Sequence, residues 1–108
     1  MTVKELADKA GFKEALLPDG DREVCGAYVG DLLSWVMGRA QSGNVWVTIM
    51  NNLNVVAVAS LSDVSCVVLC EGVELMEDAK KAAEDKEINI LMSDKSAYEV
   101  CAMLGNLI

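Results

Sequence analysis

Val45-Trp46-Val47-Thr48-Ile49 and Ser65-Cys66-Val67-Val68-Leu69-Cys70 are two apolar, largely β-branched runs, and Asn51-Asn52-Leu53-Asn54-Val55-Val56-Ala57-Val58-Ala59-Ser60-Leu61 lies between them. Both outer runs have the length and composition of buried strands. The middle segment is ambiguous: its valines favour a strand on propensity alone, while Asn51-Asn52 can cap a helix. Topology arbitrates. Consecutive buried strands at this separation are most simply parallel, and a parallel pair needs a crossover, usually a helix. The spacing predicts a helix over about 53–61 and a βαβ unit over 45–70.

The same pattern continues to the end. Helix 75–86 carries Met76, Ala79, Ala82 and Ala83 on one side and charges on the other, including the i,i+4 pair Glu77 and Lys81. Ile88 to Met92 reads as a strand. Ser93-Asp94-Lys95-Ser96 is a turn, and Ser96 with Glu99 forms a capping box opening helix 97–107. The C-terminal half is therefore βαβαβα, with right-handed crossovers and a parallel sheet. Upstream, Thr2 and Glu5 make another capping box, for a short helix that stops at Gly11. An extended piece over 12–17 runs into the Pro18-Asp19-Gly20-Asp21 turn. Residues 22–29 read as a strand whose glycines admit a close backbone, and Asp31 caps a helix through about Ala40. The expected fold is one compact α/β domain over residues 1–108 with a mostly parallel sheet.

Composition excludes more than it assigns. Nine Lys and Arg against 17 Asp and Glu give a net charge of −8 in 108 residues, which argues against a nucleic-acid partner because phosphate backbones require clustered cations. A mean hydropathy of +0.29 argues against disorder. There is no histidine, so Ser-His-Asp and Cys-His catalysis and the usual zinc ligands are absent. The first residues do not read as a signal peptide, and no apolar run reaches the roughly 18 residues of a membrane span. A cytoplasmic protein with no membrane contact is expected. Cys66 and Cys70 sit four residues apart in a predicted strand, about 13 Å, too far for a disulfide or a shared metal. Four buried free thiols in a reducing compartment, with no metal and no cofactor, are expected.

In parallel α/β sheets, ligands sit beyond the carboxyl ends of the strands. Here those ends are Asn51-Asn52, Glu71-Gly72 and Ser93 to Ser96, each leading into a helix N-terminus that favours an anion. The alternative is that Asn52, Glu74 and Ser96 simply cap helices. Arg22 is the one cation that could join these turns and clamp a phosphate, unless it pairs locally with Asp19, Asp21 or Glu23. The candidate ligand residues are Arg22, Asn51, Asn52, Glu71, Gly72, Ser93, Asp94 and Ser96. No P-loop or GxGxxG pattern occurs, and no nucleophile sits beside an activating base. At 100° per residue, Leu32, Leu33, Trp35, Val36, Met37 and Ala40 cover about 200° of helix 31–40, twice the ~100° of one core-facing stripe. Trp35 and Met37 are the candidate contacts of a homodimer.

Asp21-Arg22-Glu23-Val24-Cys25-Gly26-Ala27-Tyr28-Val29-Gly30-Asp31 and the following Leu32-Leu33-Ser34-Trp35-Val36-Met37-Gly38 resemble the signature of the DRTGG-domain family. Thr48-Ile49-Met50-Asn51-Asn52 through Ala59 resembles that family's next block, and similarity continues through Glu71-Gly72 to Ser96-Ala97-Tyr98-Glu99. The resemblance is strongest for small stand-alone members of anaerobic bacteria, some encoded near iron-hydrogenase subunits. It implies a compact, often dimeric α/β domain. Related domains accompany CBS domains, phosphate acetyltransferases and cobyric-acid-synthase-like domains, where they look regulatory. Here Arg22 is followed by Glu-Val-Cys-Gly rather than Thr-Gly-Gly, and Asn51 and Glu71 stand where larger members tend to have glycine. A glutamate at 71 disfavours a second phosphate. The expected role is a non-enzymatic, ligand-sensing regulatory module acting as a homodimer, with a nucleotide of few phosphates, such as AMP or a nucleoside, as ligand. The alternative is an accessory or assembly protein for a redox enzyme such as an iron hydrogenase.

Overall fold

A computed structural model describes all 108 residues. Five helices and five strands make up the chain, alternating from β2 onward: α1 (Val3–Ala10), β1 (Lys13–Leu16), β2 (Ala27–Val29), α2 (Leu33–Arg39), β3 (Val45–Thr48), α3 (Leu53–Ser62), β4 (Cys66–Leu69), α4 (Glu77–Asp85), β5 (Ile90–Met92) and α5 (Ala97–Leu107). The strands form one sheet in the order β1-β5-β4-β3-β2. β2, β3, β4 and β5 are mutually parallel, and β1 joins β5 antiparallel. The expected α/β class and the βαβαβα second half hold.

The ambiguous valine-rich segment is a helix for the reason the topology requires. β3 and β4 pair directly and in parallel, Val45 opposite Cys66 and Thr48 opposite Leu69, so the chain between them must cross over. Asn52 caps α3, its side chain accepting from Asn54 N–H at 3.0 Å. Several predicted elements are shorter than expected: α4 begins at Glu77 rather than 75, and β5 at Ile90 rather than 88. Of the strand over 22–29, only Ala27–Val29 pairs with β3. Val24 N–H instead donates to Met1 at 2.8 Å and Cys25 N–H to Gly43 at 2.8 Å. Gly26, at φ +70°, then turns the chain into the sheet. Asp31 does not cap α2, whose N-cap is Leu32. The Asp31 carboxylate points back to β3 and accepts from Thr48 Oγ1 at 2.7 Å and Ile49 N–H at 3.1 Å.

Helices cover both faces of the sheet unequally. α1 and α5 pack on one face against Val45, Val47, Val68 and Leu91. α2, α3 and α4 pack on the other against Trp46, Val67, Leu69 and Ile90. The alternation of strand side chains sends successive residues to opposite layers, so each of the central strands β3 and β4 is buried along its whole length. Three helices thus stand against two. The position over β2, beside α5, has no helix of its own.

Candidate functional site

The three strand-to-helix turns at the carboxyl edge of the parallel sheet do converge. Asn51 Nδ2 donates to the Glu74 carbonyl at 2.7 Å, and Met76 N–H donates to the Asn51 carbonyl at 3.1 Å. Glu71 N–H donates to the Lys95 carbonyl at 2.8 Å and Gly72 N–H to the Ser93 carbonyl at 3.0 Å. These bonds stitch the turns to one another and take up the Glu71, Gly72 and Met76 amides and the Asn51 side chain. Asn52 and Ser96 cap α3 and α5, Ser96 accepting from Glu99 N–H at 3.2 Å. Glu74 caps nothing, since the N-cap of α4 is Met76. Asp94 lies over Gly72, 3.5 Å from where a Cβ would stand. The cavity among Lys13, Gly72, Ser93 and Asp94 measures about 60 Å³, room for water only.

Glu71 holds a left-handed backbone at φ +62°, followed by Gly72 at +73°. Glycine adopts that conformation freely and glutamate does so at a cost of roughly 1–2 kcal/mol, which is a physical reason for glycine at this position in the DRTGG pattern.

Arg22 does not join these turns. It lies at the opposite end of the sheet, where α3 hands over to β4. Its guanidinium donates to Asp63 Oδ1 at 2.9 Å and to the Asp63 carbonyl at 2.7 Å. Ser42 Oγ donates to the other carboxylate oxygen of Asp63. The Ser42 and Arg22 hydrogen bonds together hold the Asp63 carboxyl below the usual aspartate range. The pair that forms is long-range, not the local pairing with Asp19, Asp21 or Glu23 weighed from sequence. Arg22 ties the segment after the Pro18–Asp21 turn to the C-cap of α3, away from the carboxyl edge.

The largest concavity is elsewhere. A groove of about 340 Å³ runs between β2 and α5, floored by Ala27, Val29 and Leu104 and flanked by Cys101, Gly105 and Ile108, with Gly26 and Tyr28 completing it. It is the uncovered place in the helix layer. β2 is an edge strand. Val45 N–H donates to the Gly26 carbonyl and Gly30 N–H to the Val47 carbonyl. By the alternation of a parallel ladder, Ala27 and Val29 therefore turn their N–H and C=O groups outward to the open edge. The sequence does carry a trace of this groove. Residues 100–108 and 24–30 contain no charged side chain, although one stripe would have sufficed to seat α5 on the sheet.

The cysteines divide. Cys66 and Cys70 are buried, and burial pushes the Cys66 thiol up to about 12. Cys25 is exposed and Cys101 half-buried at the groove, which corrects the expectation of four buried thiols. Cys25 is exposed because the segment it lies on peels off the sheet before β2 begins. Burial also raises the Cys101 thiol, so it is a poor nucleophile where it stands. Trp35 and Met37, the expected dimer contacts, are 53% and 50% exposed. They lie about 200° apart around α2, on either side of the buried Val36; Leu32, Leu53 and Leu61 are exposed as well, and Arg39 stacks on the Trp35 ring at 3.9 Å. No helix is long and apolar enough to cross a membrane.

The chain superposes on the crystal structure of the CBS and DRTGG domains of the regulatory region of Clostridium perfringens pyrophosphatase, complexed with the activator diadenosine tetraphosphate, with a TM-score of 0.72. The fold is that of a DRTGG/CBS-type domain. The superposition covers 94% of this chain and 45% of that one, at 10% sequence identity. The chain therefore spans less than half the length of the regulatory region it matches. No family model and no curated protein matches its sequence. The neighbouring structure is a regulatory region rather than a catalytic one, and it agrees with the fold expected from the signature around Asp21 and Arg22.

Proposed function

We propose that this chain is a non-enzymatic regulatory module that acts as a homodimer and senses an adenine nucleoside or a nucleotide of few phosphates. The observation that carries this reading is the β2–α5 groove. An apolar slot of about 340 Å³ beside outward backbone N–H and C=O groups suits a flat heterocycle with a donor–acceptor edge. Its only titratable groups are Tyr28 and Cys101, which do not form an acid–base pair that could act on a ligand. No cation lines it, so phosphates would remain in solvent and add little. The adenine class is supported by the activator of the Clostridium perfringens regulatory region, a diadenosine compound. The site moves with this reading: the carboxyl-edge residues Asn51, Asn52, Glu71, Gly72, Ser93, Asp94 and Ser96 hold one another, and the ligand lies at β2.

Calorimetry with adenosine, AMP and ATP tests this. Adenosine and AMP should bind with similar affinity, and ATP no better. Ala27→Phe, at an exposed position on the groove floor, should weaken adenosine binding at least about tenfold, roughly 1.4 kcal/mol. Arg22→Ala should leave it unchanged. An absence of binding by wild type, or a strong preference for ATP, would sink the proposal.

A second reading is favoured by the α2–α3 face. Between Asp31 and Asp63 the only charged residue is Arg39, and Trp35, Met37 and Leu61 stand out from it. Such a patch suits a protein partner, and an accessory role toward a redox enzyme would use it. Purified iron-hydrogenase subunits should then be retained by wild type and not by Trp35→Glu; equal retention by both would remove this face from the contact.

A further inference from the structure

We propose that the Asp19–Gly20 linkage is a site of spontaneous isomerisation to isoaspartate, and that the change permanently releases the N-terminal arm, which is α1, β1 and the turn that follows them. The proposal is independent of any ligand at the β2–α5 groove.

The sequence offers one place for the reaction. A five-membered imide forms when the backbone nitrogen after an aspartate attacks that residue's side-chain carboxyl, and a side chain on the attacking residue hinders it. Of the aspartates only Asp19 precedes a glycine, and no asparagine does. Both reacting groups are free. The Gly20 N–H has no hydrogen-bond acceptor. The Asp19 carboxylate has no hydrogen bond and no ion partner, since all its contacts run through the main chain. Asp19 is exposed and opens on a polar hollow of about 190 Å³ shared with Lys86 and Glu87, so water reaches it.

The reaction needs only water. The Gly20 nitrogen attacks Cγ of the protonated Asp19 carboxyl. The N–Cγ bond forms, the Cγ–OH bond breaks, and the hydroxyl leaves as water with the amide proton. Water then opens the imide. Addition at Cγ restores aspartate. Addition at the former main-chain carbonyl frees an α-carboxylate and leaves Gly20 joined through Cγ. The composition is unchanged, but the main chain gains one methylene.

That methylene falls where the arm is fastened. Asn89 grips Asp19 through the main chain alone, Oδ1 accepting from Asp19 N–H at 2.9 Å and Nδ2 donating to its carbonyl at 2.8 Å. Arg22 N–H donates to the same carbonyl at 3.2 Å. Lys4 N–H donates to the Gly20 carbonyl at 3.0 Å and Val3 N–H to the Arg22 carbonyl at 2.9 Å, so the first amides of α1 are satisfied by this turn. A longer main chain puts those two carbonyls out of register with α1. The grip of Asn89 also gates the chemistry. A carbonyl held by Asn89 cannot swing about the Cα–C bond, so the Gly20 nitrogen reaches Cγ only when the turn opens. Opening permits the reaction, and the product prevents closing.

Ageing the folded protein near pH 6 at about 37 °C tests this. Isoaspartate should accumulate at residue 19, read by peptide mapping and by methyl transfer from S-adenosylmethionine with an isoaspartyl methyltransferase. Asp19→Glu keeps the charge and the main-chain bonds to Asn89 but would have to close a six-membered ring, so the signal should be lost. Asn89→Leu should react at least about tenfold faster, because the rate follows the open population. Urea well below the midpoint opens the same turn without a substitution and should accelerate wild type in the same direction. The aged fraction, separated by ion exchange, should show faster amide exchange in α1 and β1 while β3 and β4 stay protected. Folded wild type that forms no isoaspartate at residue 19 overturns the site, as does equal signal in Asp19→Glu. Rates unchanged by both Asn89→Leu and low urea overturn the gating. Isomerised chains whose α1 and β1 amides exchange as in fresh protein overturn the release.

Discussion

Trp46→Ala should destabilise the domain by about 3–5 kcal/mol, a large part of the roughly 5–15 kcal/mol that holds a domain of this size together. Trp46 is completely buried. It is the only aromatic ring in the layer beneath α2, α3 and α4 apart from Tyr28, in a buried cluster made mostly of valine and alanine with Leu69 and Ile90. Small neighbours on fixed helices cannot close on the space an indole leaves, so the cavity term adds to the lost transfer term. The Nε1–H also donates to the Gly30 carbonyl at 2.9 Å, which fastens the end of β2 to β3. Urea unfolding followed by far-ultraviolet dichroism measures the loss. Trp46→Phe separates the two contributions: it keeps most of the volume and should cost less than half as much. A change under about 1 kcal/mol for the alanine variant would mean that the ring is not a core element.

The second large effect is expected at Asn89. Asn89→Leu should cost about 2–4 kcal/mol, because three hydrogen bonds disappear together and the groups left behind are partly or wholly out of water. Asn89 Oδ1 accepts from Asp19 N–H at 2.9 Å, and Nδ2 donates to the Asp19 carbonyl at 2.8 Å and the Ser65 carbonyl at 2.9 Å. One buried amide thereby joins the Pro18–Asp21 turn, the start of β4 and the lead-in to β5. Asn89→Asp should be milder at acid pH than at neutral pH. A carboxylate facing two carbonyl oxygens is disfavoured, so the folded-state pKa of the new group lies above its unfolded value. Its destabilisation is then largest above the folded pKa and shrinks as the pH falls toward the unfolded value. Equal midpoints for the aspartate variant at pH 4 and pH 7, relative to wild type, would contradict this.

These two residues also mark what could be read from the sequence. The run from Val45 to Cys70 decided the fold because two strands of that composition leave the chain between them no other topology. The capping boxes at Thr2 and Ser96 placed α1 and α5 to the residue, since the cap and its N3 glutamate are a local code. Nothing local announces that Asn89 is an internal tie. An asparagine ahead of a strand reads as a turn, and its value comes from Asp19 and Ser65, both distant in sequence. Arg22 was misplaced for the same kind of reason: its neighbours at 19, 21 and 23 are acidic, yet it reaches Asp63 across the molecule. The groove was missed because a groove is an omission in a layer: the uncharged segments 24–30 and 100–108 hint at it, and the count of helices on each face reveals it. The carboxyl-edge turns were located correctly, but the bonds that join them were not foreseen. Which amides remain free depends on bonds between turns that no single turn encodes.

The antiparallel entry of β1 sets an order of assembly. Lys13 sits opposite Met92, so this pairing closes nearly three quarters of the 108-residue chain into one loop, whereas β3, α3 and β4 meet through a short crossover. Loop closure costs more entropy the longer the loop and returns nothing until the distant contacts form. The arm formed by α1, β1 and the following turn is therefore expected to dock last, after the parallel strands have paired. It is held there by α1 packing, by Asn89 and by the Arg22–Asp63 pair. What attaches last tends to detach first. Transient openings of this protein should peel the N-terminal arm from β5 while β3 and β4 stay paired, so that the first strand edge bared to other chains belongs to β5 and not to the centre of the sheet.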